Sequence, residues 1–290
     1  MTTSAKIIAD SISDSQIRIT TMELCYPLIA HAEFMTHRMF SRNAASNRAI
    51  PTRKIIDQVE KNPFVPTYWG KNQPGMQAIE KLRDMEMQHC ESDWYDAAEN
   101  AIKSAKYLAS QGLHKQIANR LLEPFQHIKV IVTATEWDNF FKLRLAHDAQ
   151  PEIQELARCM KEAIDSSTPK LLNTGDWHLP YVDVDEHRHY DCGTEYSTLE
   201  VIKCSVARCA RVSYLNHDNE NPDIEKDIAL ADRLLEAGHM SPFEHQATPM
   251  KYTHYRECEQ KWEKGVTHTD RISRQWSANF RGWIQYRQLI

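Results

Sequence analysis

Between residues 36 and 48 the chain reads Thr36-His37-Arg38-Met39-Phe40-Ser41-Arg42-Asn43-Ala44-Ala45-Ser46-Asn47-Arg48. Arg38, Arg42 and Arg48 supply guanidinium forks and His37 a titratable imidazole. Ser41, Asn43 and Ser46 add short hydrogen-bonding groups, and no acid lies among them. A guanidinium binds phosphate oxygens in pairs, and short hydroxyls and amides can complete the cradle. The chemistry this suits is recognition of a phosphate ester or another anion. A solvated arginine face would carry the same charges, but the interleaved Ser41, Asn43 and Ser46 favour the anion site. That site requires a partly buried cluster on which further arginines converge, with Arg120 and Arg144 as candidates.

A second segment, Gly238-His239-Met240-Ser241-Pro242-Phe243-Glu244-His245, reads as a helix start. Ser241 is placed to be its N-cap, Pro242 its first residue and Glu244 the third, a capping box. The free N–H groups of such a start favour an anion. His239 and His245 are six residues apart, unlike the four-residue spacing of a helical zinc pair. A third pair, Asn139 and Arg144, followed by Ala149-Gln150-Pro151-Glu152-Ile153-Gln154, is unspecific alone. His187, His189 and Cys192 have the spacing of metal ligands but lack a fourth; polar surface residues of the acidic loop 183–191 are the other reading.

The elements that must hold these groups follow from pattern and punctuation. Gln16 to Leu24 partly alternates and predicts a strand. Pro27 suits a helix start, and Leu28, Ile29, Ala32 and Met35 have helical spacing that carries His31, His37 and Arg38 towards the basic cluster. Residues 62–74 hold three prolines and one glycine and predict a loop. Helices are expected at about 76–89 and 93–111, stopped by Gly112, and at 115–122, ended before Pro124. Ile128, Val130 and Val132 alternate as a strand over 127–133. Thr135 and Asp138 resemble a capping box opening the helix that carries Asn139 and Arg144. Another helix spans 151–166. Residues 169–191 predict irregular structure, and 200–214 fit either a helix or a buried strand. Ile224, Ile228, Ala231 and Leu235 mark a helix over 223–237 that stops at Gly238 and aims His239, Ser241 and Glu244. Trp276, Phe280, Trp283 and Tyr286 make the last sixteen residues too apolar for a free tail.

The 290 residues, 41% hydrophobic, are enough to bury a substantial core. A net charge of −5 argues against a nucleic-acid coat or a basic membrane-binding surface, so no direct nucleic-acid binding is expected and positive charge must be concentrated locally. No apolar run reaches a membrane span and the start lacks a signal-peptide core, so a cytoplasmic location is the default expectation. The 7 cysteines are odd in number, scattered and without a CxxC pair, which predicts free thiols rather than a disulfide framework. No GxGxxG or GxxxxGK[ST] loop exists, which leaves Rossmann and P-loop sites without support.

Together these segments resemble the flavin-dependent thymidylate synthases. Residues 36–48 match that family's RHRxxSxNxxSxR-type signature. Ala210-Arg211-Val212-Ser213-Tyr214 matches its ARVS[YF] segment, and 238–245 its GHxxPFEH-like turn. Arg120, Asn139-Phe140-Phe141-Lys142-Leu143-Arg144 and Ala149-Gln150-Pro151-Glu152-Ile153 match segments that follow the signature. The order differs: the ARVS and PFEH segments precede the signature in the family and come last here. A circular permutation, cut between the PFEH segment and the strand leading to the signature, accounts for that order.

The resemblance implies an α+β fold, with mixed helices packed on an antiparallel sheet in one permuted domain, 1–290. Within it, 15–165 would be the signature and nucleotide-binding half, 200–250 the FAD-binding half and 251–290 a C-terminal extension. It implies a homotetramer with FAD at subunit interfaces, and transfer of a one-carbon unit from methylenetetrahydrofolate to carbon 5 of dUMP, with NADPH reducing the flavin. By position, His37, Arg38, Asn139, Ser213, His239, Ser241 and Glu244 would contact FAD or its folate-facing side. Glu33, Ser46, Arg48, Arg120 and Arg144 would line the nucleotide, with Arg48 and Arg120 on its phosphate. Arg144, Ser46 and His239 would stand nearest the chemistry. No metal is implied. Three departures fall on the nucleotide side: Thr36 replaces an arginine, Ala44 a glutamate, and Glu33 a glutamine. They leave flavin binding expected and put the pyrimidine substrate or product in question. A C5-hydroxymethylase, in which water quenches the same intermediate, is the second expectation, and a flavin- or nucleotide-binding protein without turnover is the third.

Overall fold

A computed structural model describes residues 2–182, 196–213, 223–254 and 262–290. In chain order the first elements are β1 (Ser4–Ser13), β2 (Arg18–Pro27), α1 (His31–Phe34), β3 (Ser41–Ala44), α2 (Thr52–Lys61), α3 (Asp84–Ser110), α4 (Lys115–Ala118), β4 (His127–Ala134), α5 (Asp138–Arg144), α6 (Pro151–Asp165) and β5 (Lys170–Leu172). Then follow α7 (Thr198–Ala210), α8 (Ile224–Glu236), β6 (Ala247–Pro249), β7 (His268–Thr269), β8 (Gln275–Ser277), β9 (Phe280–Arg281) and β10 (Trp283–Gln285). The fold is α+β, as the resemblance implied.

The main sheet has the order β3-β4-β2-β1-β5. It is antiparallel except where β5 runs parallel to β1. Alternation sorts its residues onto two faces. Met22, Leu24 and Tyr26 of β2 and Val130, Val132 and Ala134 of β4 pack in one core with Phe140 and Phe141 of α5 and Ile153, Leu156, Ala157 and Met160 of α6. The last four repeat at i, i+3, i+4 and i+7 and are fully buried, which is why 151–165 is helical and why it lies on this face. Truncating Leu156 to Ala would cost about 2–5 kcal/mol. On the other face Ile131 meets Cys209 and Val212, and Ile17 and Ile19 join Ala247, Phe280 and Trp283. The aromatic C-terminal segment is therefore core, as expected.

A buried polar chain crosses that second face. Ser11 Oγ lies 2.9 Å from His178 Nδ1, and His178 Nε2 lies 2.8 Å from Thr21 Oγ1. Thr21 Oγ1 is 2.7 Å from Thr133 Oγ1, which is 2.8 Å from His245 Nδ1. Burial pushes both imidazoles down to about 3, so both are neutral. His245 is thus locked inward while His239 is exposed, and the two do not make a metal pair. The group His187, His189 and Cys192 lies outside the described residues. Among the described residues, Cys25, Cys90, Cys159, Cys204 and Cys209 form no disulfide.

Several local expectations change. The strand expected at 16–24 runs from Arg18 to Pro27, and the polar N-terminal stretch forms its partner β1. Two expected helices are one, α3, because residues 84–111 hold neither Pro nor Gly to break it. Residues 70–81 instead fold back on themselves, with Lys71 N donating to Glu80 O at 2.7 Å and Leu82 N to Trp69 O at 2.9 Å. The helix expected over 115–122 is the short α4 and a 3-10 turn through Pro124. Residues 198–210 resolve to a helix, opened by a Ser197–Glu200 capping box. Within the stretch expected to be irregular, Lys170–Leu172 pairs with β1 as β5. Thr135 does not cap α5: its Oγ1 accepts from Arg281 N at 3.0 Å. Nor does Ser241 open an α-helix. Ser241–Glu244 is one 3-10 turn without a side-chain cap, too short to gather a helix dipole.

Candidate functional site

The signature segment begins at the end of α1. There Thr36 N donates to Glu33 O at 3.0 Å and His37 N to Phe34 O at 3.3 Å, which turns the chain out of the helix. Arg42 sits inside that turn, its Nη1 donating to Met35 O at 2.8 Å and His37 O at 3.1 Å. Its guanidinium is thereby committed to backbone carbonyls. The turn in turn fixes His37, whose ring is buried, edge-on to Phe140 with centroids 4.8 Å apart.

Arg144, the last residue of α5, closes on this turn. Its Nε donates to His37 Nε2 at 2.9 Å, and its Nη1 forms an ion pair with Glu33. An arginine only donates, so His37 Nε2 carries no proton and Nδ1 holds it. Burial first, then the charges of Arg144 and Arg42, lowers His37 to about 4. Arg144 is thus a half-buried cation aimed by a neutral imidazole and balanced by one carboxylate.

Strand β3 continues the segment and is where the late segments arrive. Asn43 Nδ2 donates to Cys209 O at 2.8 Å, one residue before Ala210. Ser241 Oγ donates to Asn43 Oδ1 at 3.3 Å. His239 follows α8 directly: Gly238, at φ +71°, ends that helix, and His239 N donates back to Leu234 O at 2.9 Å. The left-handed backbone there suits glycine and aims the segment, as the sequence indicated. Ser213 ends the 3-10 turn Arg211–Ser213.

Beyond β3, Asn47 Nδ2 donates to Glu123 Oε1 at 2.9 Å, and Arg120 Nη1 donates to the same oxygen at 2.6 Å. Asn119 Nδ2 holds Asn47 O at 2.7 Å, so the segment's far end is laced to the turn carrying Arg120. Arg120 and Arg144 therefore both meet the basic segment, one at each end, and each already has a carboxylate partner. Arg38 and Arg48 are exposed and have neither hydrogen bond nor ion pair among the described residues. Ser46 is half-buried; Asn139, His239 and Ser241 are exposed.

Sequence reasoning missed the C-terminal contribution. Gln285 Nε2 donates to Ser41 Oγ at 3.1 Å and to Glu244 O at 3.2 Å, and Asn279 Nδ2 donates to Met39 O at 3.0 Å. Arg287 forms an ion pair with Glu244. Ser41 is accordingly a buried structural hydroxyl. The aromatic pattern of the tail showed that it packs, but nothing in it showed where.

On this α+β scaffold the basic signature strand and the late segments meet at β3. The model of the thymidylate synthase complementing protein family matches residues 18–170, more than half of the chain, and the chain belongs to that family, the flavin-dependent thymidylate synthases. It is at that level an enzyme acting at carbon 5 of a pyrimidine nucleotide. The segments at 210–214 and 238–245 lie after the matched region. Among solved structures, the UMP/dUMP methylase PolB from Streptomyces cacaoi is similar in two forms. With 5-Br dUMP bound it is 17% identical, with a TM-score of 0.47, over 56% of this chain and 90% of that one. With 5-Br UMP bound it is 18% identical, with a TM-score of 0.47, over 56% of this chain and 88% of that one. No curated protein matches.

Proposed function

We propose that this chain transfers a one-carbon unit to carbon 5 of a deoxyuridine nucleotide, converting dUMP to dTMP. FAD is its cofactor, with methylenetetrahydrofolate as carbon donor and NADPH as reductant. The observation that carries this reading is the placement of Arg144, held half-buried between His37 Nε2 and Glu33 on the signature segment.

The donor set fits a phosphate-bearing cofactor. Arg38 is exposed beside Arg42 with no in-chain acceptor among the described residues, and Ser241 and Asn139 offer a hydroxyl and an amide to solvent. His37, Arg38, Asn139, Ser213, His239, Ser241 and Glu244 would hold FAD, which when bound and reduced supplies the hydride. Glu33, Ser46, Arg48, Arg120 and Arg144 would hold the nucleotide, with Arg48 free for its phosphate. Arg144 would donate to a pyrimidine carbonyl oxygen and stabilise the enolate-like negative charge from which carbon 5 attacks. His37, proton on Nδ1, keeps Arg144 from swinging away. Glu33 neutralises part of the same cation.

We further infer that segment order is circularly permuted, because Ala210–Ser213 and 238–245 follow the matched region yet pack on β3. The working unit is read as a single domain assembling as a cytoplasmic homotetramer.

Mass spectrometry of the nucleotide after anaerobic incubation with FAD, NADPH, methylenetetrahydrofolate and dUMP tests the reaction. dTMP supports the synthase. Hydroxymethyl-dUMP replaces it with the hydroxymethylase. Unreacted dUMP beside bound FAD removes turnover of this substrate.

A further inference from the structure

The C-terminal extension brings a cation to the site that no part of the signature supplies. Arg287 lies in a 3-10 turn, Tyr286–Gln288, that is tied to the same turn as Glu244. Tyr286 N donates to Gln246 O at 2.9 Å, the Tyr286 ring stacks on Phe243 with centroids 6.1 Å apart, and Gln285 Nε2 donates to Glu244 O at 3.2 Å. The arginine is therefore held in place by buried neighbours rather than floating at a chain end.

The local charge is unbalanced. Arg42 feels both the Glu244 carboxylate and the Arg38 guanidinium, and Arg287 pairs with that same Glu244. Arg42 and Arg287 thus share the Glu244 carboxylate, with Arg38 beside Arg42, on a chain whose overall charge is −5. Arg42 Nη1 is taken by the carbonyls of Met35 and His37, which holds that guanidinium against the backbone. Arg287 gives only Nη1 to Glu244; among the described residues its Nε and Nη2 have no acceptor, and its side chain is 41% exposed. An exposed pair of this kind contributes little to stability, so fold stability gives little reason for it.

We propose that Arg287 is an anion-binding residue of this site, taking a phosphate group of the bound ligand through the donors that Glu244 leaves free. The inference rests on the functional reading above and deepens it. It gives the extension a binding role.

The test uses the full chain, wild type, R287A and R287Q, titrated calorimetrically with FAD and separately with dUMP. R287Q keeps a donor for Glu244, which guards against loss of the turn. Both variants should bind at least one of the two ligands roughly tenfold more weakly, with a shallower salt dependence than wild type. Loss on the FAD arm assigns the flavin pyrophosphate; loss on the dUMP arm assigns the nucleotide phosphate. If both variants bind both ligands as tightly as wild type and only the melting temperature moves, Arg287 is a structural partner of Glu244 and the proposal is wrong. A wild type that binds neither ligand overturns the functional reading itself, and this proposal with it.

Discussion

Arg144 Nε donates to His37 Nε2 at 2.9 Å, joining the end of α5 to the histidine of the signature. Because arginine cannot accept, this bond requires a neutral His37, and a neutral His37 leaves Arg144 as the cation. Replacing Arg144 with Ala should lower turnover of dUMP by about 100- to 1,000-fold, the scale of losing one donor to a developing oxyanion. Flavin content, read from the absorbance of purified protein, should stay near wild type. Unchanged turnover would remove Arg144 from the chemistry.

Glu33 sets the strength of that cation. It forms an ion pair with Arg144, whereas a glutamine would leave the guanidinium uncompensated. E33Q should therefore tighten dUMP binding severalfold in calorimetry at low salt, with the gain shrinking as salt rises. Weaker binding would instead mean that the carboxylate itself holds the nucleotide.

The buried histidines predict acid lability. His37 and His127 are lowered to about 4, and His178 and His245 to about 3, each chiefly by burial. Above their ordinary value of 6.5 they are neutral in both states and contribute no pH dependence. As pH falls below that, the unfolded chain takes up protons that the folded chain refuses. Stability then drops, by at most about 1.4 kcal/mol per pH unit for each histidine, until the folded values are reached. Urea midpoints should fall between pH 7 and pH 5, as those shifts require, and H178Q should flatten the slope. A wild-type midpoint constant over that range would contradict the assignment.

Asp227 is fully buried and takes Arg208 Nε at 2.9 Å and an ion pair from Arg211, tying α7 and α8 together beside the Arg211–Ser213 turn. D227A removes the shared carboxylate from both guanidiniums and should cost about 3–5 kcal/mol in urea unfolding, far more than D227N. A cost below 1 kcal/mol would show that water reaches the pair.

The site was legible where chemistry-bearing residues cluster along the chain. Residues 36–48, Arg144 and the helix stop at Gly238 could be read because their types and spacing carry the signal locally. The fold was legible where periodicity was strong, as at β4, α6 and α8. The Thr135 and Ser241 capping boxes failed because tertiary partners, Arg281 N and Asn43, took those hydroxyls. The division of α3 into two helices failed because residues 84–111 hold no Pro or Gly and so no backbone reason for a break. The relay from Ser11 to His245, and Arg287 against Glu244, join residues far apart in sequence, and no local pattern records such pairings.

The most direct measurement is release of tritium from carbon 5 of labelled dUMP by the purified protein. Substitution at that carbon expels its hydrogen whether the product is methylated or hydroxymethylated. Release that requires both FAD and methylenetetrahydrofolate, and that is lost in R144A, is the predicted result. Bound FAD and bound dUMP with no release, NADPH and folate present, would contradict a carbon-5 transferase and leave a protein that only binds its ligands.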